Sequence, residues 1–402
     1  MIRALRWVVG APRRALEWLI VRYLVRSDRR VLKLTRVDRI GHLMGELDCV
    51  LKEEHLREET PRRPILLARR DQLANRAALR SWRRHVDIAE SPWLLRLLDR
   101  VAGHPAVRFR EDMFPYLTAM EGTATAYAIY RDWGDRPPLL ELDAAEIRRG
   151  EAALRELGLP EGARFVCFHC RGGGYSPEDE VWHSYRNAAI DSYLPAVRAL
   201  HDRGLYGIRM GDPTMPRLPA EEGVVDYAHS PLRSDWMDVF LSARCEFFLG
   251  NSSGLYIIAL AFGRPSALAH VAPMSTALGL APGDLVIPKL LFSEKEDRVL
   301  GFGEVMSSPV AHFRFAEDYR AAGIRMLESE PEDVTALALE MHDRTGGQAH
   351  YDDADESLQD RYRALFAPGH YAYGSGGRVG REFLRRYVHL LDPPFETSAP
   401  DA

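Results

Sequence analysis

The stretch Phe165-Val-Cys-Phe-His-Cys-Arg-Gly-Gly-Gly174 decides how this chain is read. It opens as a short apolar run of the kind a buried strand shows, and it closes with His169, Arg171 and three consecutive glycines. A strand that stops in a glycine run brings backbone amides close to whatever lies above the sheet. An arginine there adds a planar, permanently charged donor suited to phosphate or carboxylate. The bland alternative is a tight turn with a surface arginine. Cys167 and Cys170 form a Cys-x-x-Cys, but Cys49 and Cys245 supply no second pair at matching spacing, so packing is expected there rather than zinc.

Downstream the pattern repeats. Residues 191–203 read as a helix stopped by Gly204, and 206–210 as a strand broken by Gly211-Asp212-Pro213. A short strand at 224–227 follows, then a helix capped by Ser234. Residues 246–249 make another strand, ending in Gly250-Asn251-Ser252-Ser253-Gly254, with an apolar helix at 255–262 and a strand at 266–269 behind it. Short buried strands alternating with helices imply a parallel, doubly wound α/β sheet, in which ligands bind at the carboxyl ends of strands. Three loops fall at such ends. They single out Arg171, Gly172, Gly173, Arg209, Gly211, Asp212, Asn251, Ser252, Ser253 and Gly254 as ligand-binding candidates. Arg209 either assists at the site or anchors the Asp212 loop. His169 either faces the site or is a satisfied strand-end histidine. The 250–254 loop either offers a helix N-terminus to an anion or merely caps that helix.

Upstream, a strand at 31–34, the turn Asp38-Arg-Ile-Gly-His-Leu43, and Leu43, Leu47, Val50 and Leu51 at helical spacing read as the opening of a Rossmann-like half. A strand at 64–68, a helix from about 71 to 84 and another starting at Ser91-Pro92 continue it. His42, on the glycine turn, is read either as a structural cap or as a catalytic base. A helix over 143–157, stopped by Gly158 and Pro160, follows Arg136-Pro137-Pro138 and marks a boundary. The expected organisation is a basic amphipathic segment at 1–30, a first domain at 31–140, a second at 141–345, and a helical extension at 346–402. The first segment interleaves Trp7, Trp18, Leu19 and Tyr23 with eight arginines against Glu17 and Asp28. Such a helix either lies on an anionic membrane face or packs on the body with a solvated basic side.

The bulk properties fit this plan. A chain of 402 residues exceeds one ordinary core. Its 46% hydrophobic and 28% charged content is that of a folded protein, and a net charge of -5 gives no reason to expect nucleic-acid binding. Four cysteines make no disulfide scaffold, which points to a reducing cytoplasm. No apolar run is long enough to span a bilayer, and arginines interrupt every N-terminal apolar segment where a secretory signal would be unbroken. The glycine triplet is not a dinucleotide fingerprint and no Walker sequence occurs, so dehydrogenase and kinase readings lack support.

Taken in order, Phe-His-Cys-Arg-Gly-Gly-Gly-Tyr (168–175), Ser-Tyr-Arg-Asn (184–187), Ile-Arg-Met-Gly-Asp-Pro (208–213), Asp-Tyr (226–227), Ser-Asp-Trp-Met-Asp (234–238) and Phe-Phe-Leu-Gly-Asn-Ser-Ser-Gly (247–254) resemble a family of bacterial glycosyltransferases associated with surface-polysaccharide gene clusters. Arg-Ile-Gly-His-Leu (39–43) is similar to that family's N-terminal domain. The resemblance implies a GT-B-like α/β fold, two Rossmann-like domains facing a central cleft, with acceptor bound by the first and donor by the second. His169-x-Arg171 is more loosely similar to the donor-phosphate motif of fucosyltransferase-like enzymes, with Gly172 where those often carry a second arginine. Asp353-Ala354-Asp355 looks like the Asp-x-Asp of metal-dependent glycosyltransferases but follows no strand, so a solvated acidic face is expected. The expected chemistry is metal-independent transfer from a nucleotide sugar, a substrate rather than a cofactor, to a glycan or lipid-linked hydroxyl. Arg171 is the expected diphosphate ligand, Asp226 and Tyr227 candidate nucleoside contacts, Asp235 a residue within reach, and His42 or His169 the base, with Asp38 a poorer candidate. Two other readings use the same pocket: a sugar-nucleotide epimerase or hydrolase, and a non-catalytic glycan- or nucleotide-binding protein.

Overall fold

The computed structural model describes residues 2–58, 60–109, 120–174 and 177–392. The chain divides into two compact units, Met1–Ile129 and Tyr130–Ala402. In the first unit, α1 (Ile2–Arg26) leads into β1 (Val31–Leu32), which is shorter than the expected strand. α2 (Ile40–Arg57) starts directly at Ile40, so Gly41 and His42 lie in its first turn and not in a loop before it. Leu43, Leu47, Val50 and Leu51 are buried as their spacing requires, and the buried Asp48 and Lys52 pair at 2.7 Å one turn apart on the same helix.

β2 (Ile65–Leu67) follows. The helix expected over 71–84 is broken into a 3-10 turn at 70–72, α3 (Arg76–Ser81) and a second 3-10 turn at 82–84. The cause is local: Asn75 Oδ1 accepts the Ala78 amide at 2.7 Å, which starts a new helix in the middle of the stretch. β3 (Asp87–Ala89) is too short to show a period, and α4 (Pro92–Asp99) begins at the expected Ser91-Pro92. β1, β2 and β3 form a parallel sheet in that order, with Val31 also bridging Arg108. α5 (Met120–Trp133), which no sequence pattern announced, carries the point at which the chain divides.

The second unit opens with α6 (Ala144–Glu156), held by a capping box between Asp143 and Glu146 and stopped at Gly158, whose φ of 91° suits glycine. β4 (Arg164–His169), α7 (Pro177–His183) and α8 (Leu194–His201) come next, α8 being preceded by a 3-10 turn over Ile190–Tyr193. Then follow β5 (Leu205–Arg209), β6 (Val224–Val225), α9 (Asp235–Arg244), β7 (Phe248–Gly250), α10 (Tyr256–Ala261), β8 (Ser266–Val271) and β9 (Leu285–Pro288). These strands are parallel and lie in the order β9-β8-β7-β4-β5-β6. Residues 165–169 of β4 and all of β7, β8 and β9 are buried, which explains their unbroken apolar character. The chain winds outward from β4 through β5 to β6, then returns to β7 on the other side. The sheet's topological switch point therefore lies between β4 and β7.

Beyond β9 the chain departs from the expected pattern. β10 (Leu290–Ser293), β11 (Arg298–Val299) and, after α11 (Phe302–Met306) and α12 (Ala316–Ala321), β12 (Ile324–Leu327) form a small antiparallel sheet with β10 in the middle. α13 (Pro331–Thr345) and α14 (Asp353–Ala364) precede β13 (Arg378–Val379) and α15 (Arg381–Arg386). The segment after 346 is thus not helical alone: β13 adds a seventh strand, parallel to β9, at the sheet's edge. The acidic cluster serves this packing. Asp352 Oδ1 accepts the Asp355 amide at 2.8 Å to cap α14, and the buried Asp355 takes Arg385 Nε at 2.7 Å.

Candidate functional site at the switch point

The loops after β4 and β7 meet at the switch point, the place where a doubly wound sheet leaves a crevice. Their strands come very close there. Gly250 lies in register with His169, and a Cβ on it would sit 2.6 Å from the His169 carbonyl oxygen. Only glycine fits such an approach. Just beyond, the Arg171 amide donates to Asn251 Oδ1 at 3.0 Å, and Asn251 Nδ2 donates to the Arg186 carbonyl at 2.9 Å. Arg186 answers by donating Nε to the Ser252 carbonyl at 2.8 Å. Asn251 is fully buried, so it brackets the loops and presents nothing to a ligand.

The Arg171 side chain is mostly buried and held from one side. Its Nη1 donates to the His183 carbonyl at 3.0 Å, to Asn187 Oδ1, and to Glu180 Oε2 at 3.4 Å. Asn187 Nδ2 in turn donates to Glu180, closing a three-residue ring. No described residue accepts from Nε or Nη2 of Arg171, so three of its five N–H groups have no partner among the described residues. Burial, then the charge of Arg186, pulls its pKa below the usual arginine value. Among the glycines after it, Gly172 has open space around its Cα, Gly173 lies against the Glu180 carboxylate and Gly174 against Thr214. Ser253 Oγ is buried without a hydrogen-bond partner among the described residues. α10 starts only at Tyr256 and has six residues, too short to offer a strong helix dipole at the 250–254 loop.

Several candidates turn out to be scaffold. Arg209 is buried, and its Nη1 donates to Asp226 Oδ1 at 2.9 Å and to the Pro216 carbonyl at 3.1 Å. Asp226 Oδ2 also accepts the Leu218 amide at 3.0 Å, so the pair anchors the loop after Gly211. Asp212 caps its own turn, taking the Thr214 amide at 2.9 Å. Tyr227 lies in the core and donates to Asp238 Oδ1 at 2.7 Å; burial raises the pKa of both, Asp238 to about 6. Asp235 is exposed at the start of α9. His169 is buried, with Nδ1–H donating to the Met210 carbonyl at 3.1 Å; burial pushes its pKa down to about 4, so the ring is neutral near pH 7.

No protein-family model matches the chain, and no curated protein matches it. Among solved structures it is similar to a glycosyl transferase family 9 protein from Veillonella parvula DSM 2008, at 11% identity and a TM-score of 0.38 over 59% of this chain and 79% of that one. It is also similar to ADP-heptose lps heptosyltransferase II of E. coli, at 16% identity and a TM-score of 0.38 over 65% and 90%. A third similar structure is the iron-containing dodecameric glycosyltransferase TibC of enterotoxigenic E. coli H10407, at 15% identity and a TM-score of 0.31 over 60% and 57%.

Glu180, Arg186 and Asn187 are the site residues that the loop positions alone do not reveal. Arg186 and Asn187 belong to the Ser-Tyr-Arg-Asn stretch, whose polar run behind a short helix is the available signal. Lys289 joins them from β9's end, donating to the Asn187 carbonyl at 2.6 Å. In the first unit, His42 Nδ1 lies 2.8 Å from Oε1 of the buried Glu46, one turn along α2. The sequence around Glu46 carries no signal of this pairing, because a helical glutamate is ordinarily a solvated one.

Proposed function

We propose that the chain is a metal-independent glycosyltransferase of surface-polysaccharide synthesis, moving a sugar from a nucleotide-sugar donor to a hydroxyl of a glycan or lipid-linked acceptor. The observation that carries this reading is Arg171 at the switch point, fixed through Nη1, with Nε and Nη2 accepted by no described residue. Charge grows on the diphosphate as the glycosidic bond breaks. A fixed guanidinium with a hydroxyl and loop amides stabilises that charge without reorganising. The amides of 172–174 and Ser252 complete the cradle. Of the two histidines, His42 suits the role of general base better, since Glu46 takes its Nδ1–H and leaves Nε2 for the acceptor proton. His169, neutral and tied to Met210, is a strut. Four free, buried cysteines suit a reducing cytoplasm.

The test is a thermal-shift series with nucleoside diphosphates and their sugars, native protein beside Arg171→Ala. Saturation at a hundred times the dissociation constant stabilises the fold by about 2.7 kcal/mol. One nucleotide is expected to shift the native protein and not the variant. An equal shift in both would remove Arg171 from the site, and donor turnover without any acceptor would move the assignment to a hydrolase.

A further inference from the structure

We propose that the outward face of α1 is a docking surface for an anionic phospholipid membrane, on which the helix lies in the plane of the headgroups. One side of this helix is accounted for: Ile20, Val21 and Leu24 pack on a core that includes Leu67, Ala89 and Leu98. The other side is apolar where a solvated helix would be polar. Leu16, Trp18, Leu19, Tyr23 and Val25 all stand exposed, Trp18 by 58% and Tyr23 by 70%. They are five of the eleven large apolar side chains exposed among the described residues, gathered within ten positions of one helix, which is a patch and not scatter.

The charges on that side have one sign. Arg22 and Arg26 are exposed between the apolar flanks, and the Arg22 guanidinium lies 5.1 Å over the Trp18 ring. Glu17, the only acid in the helix, faces the packed side and accepts Arg13 Nε at 2.9 Å. Arg29 and Arg30, past the helix end, are drawn instead to Asp87 and Asp28 and stand outside the patch. Trp and Tyr rings settle at headgroup depth, Leu and Val reach the acyl boundary, and arginines pair with lipid phosphate. No described helix is long and apolar enough to cross a membrane, so this one lies on the surface. Two copies of the face pressed together would oppose arginine to arginine with no exposed acid between them, which favours lipid over self-association.

The experiment is flotation of the full chain with vesicles of phosphatidylcholine alone and of phosphatidylcholine with phosphatidylglycerol, at low and high salt. The expected result is binding to the anionic vesicles only, weakened by salt. Trp18→Ser/Leu19→Ser/Tyr23→Ser and Arg22→Glu/Arg26→Glu should each lower the bound fraction about tenfold or more, while Tyr373→Ser, at an exposed aromatic in the second unit, should not. All the altered side chains are exposed, so an unchanged unfolding midpoint verifies that the variants fold. Equal binding to both vesicle types, retention by the double glutamate variant, or a dimer in light scattering that the triple serine variant dissolves would each overturn the proposal.

Discussion

Asn251→Ala removes a side chain that touches no solvent yet joins the two loops of the site. Its amide makes two part-buried hydrogen bonds, with the Arg171 N–H at 3.0 Å and the Arg186 carbonyl at 2.9 Å. Losing each bond costs about 1 kcal/mol net, and a partner left buried and unsatisfied costs about 1–3 kcal/mol. Allowing one of the two partners to relax, the expected loss is about 3 kcal/mol. For a unit of this size that is a fall in melting temperature of roughly 6–12 °C. Nucleotide affinity should fall as well, although Asn251 itself contacts nothing outside the protein, because the backbone that aims Arg171 loses its tie. Calorimetry and nucleotide titration of the same preparation read both effects. Asn251→Asp gives a finer test, since it keeps an acceptor for the Arg171 amide but sets an oxygen against the Arg186 carbonyl, and it should be destabilised in its turn. A melting temperature within about 2 °C of native, with nucleotide binding intact, would refute the bracket.

Three further outcomes follow from the same contacts. Asp226→Ala strands the buried Arg209 and should cost about 3–5 kcal/mol, whereas adding Arg209→Leu to it should recover part of that loss; a double-mutant cycle in denaturant measures the coupling. Asp238 has its pKa raised by burial from 3.8 to about 6, so the folded state holds a proton that the unfolded state has already released, and this contribution to stability is full below pH 4 and lost as pH rises through 6. Asp238→Asn, which still accepts from Tyr227, should therefore gain on native protein as pH rises from 4 to 6; a constant difference across that range would contradict the raised pKa. Glu46→Gln should lower turnover about tenfold or more, leaving nucleotide binding in place, while His42→Ala should cost about 10²–10⁴. Unchanged turnover in Glu46→Gln would separate that carboxylate from catalysis.

The alternation of strands and glycine-bearing loops between 165 and 269 was legible because each strand is a buried apolar run and each loop carries its own breaker. That sufficed to place Arg171, Asn251 and Ser253 at strand ends. What a residue does at a strand end was not legible. Arg209 and Arg171 look alike in sequence, but the first is claimed by Asp226, seventeen positions on, and the second is only half claimed by Glu180 and Asn187. Pairings of that kind depend on where a loop folds back. The very short strands β3, β11 and β13 were invisible for a simpler reason, since two or three residues cannot display a period of two.

The seventh strand also has a bearing on synthesis. β9 ends at Pro288, but its outer neighbour β13 is not translated until residues 378–379. While the intervening ninety or so residues emerge, the donors and acceptors on that side of Leu285 and Val286 face solvent, and the emerging chain carries an open, apolar strand edge able to pair with another chain. Release of a chain cut short before residue 378 would make that exposure permanent. Strand β13 is thus a closure against aggregation as much as a piece of the fold.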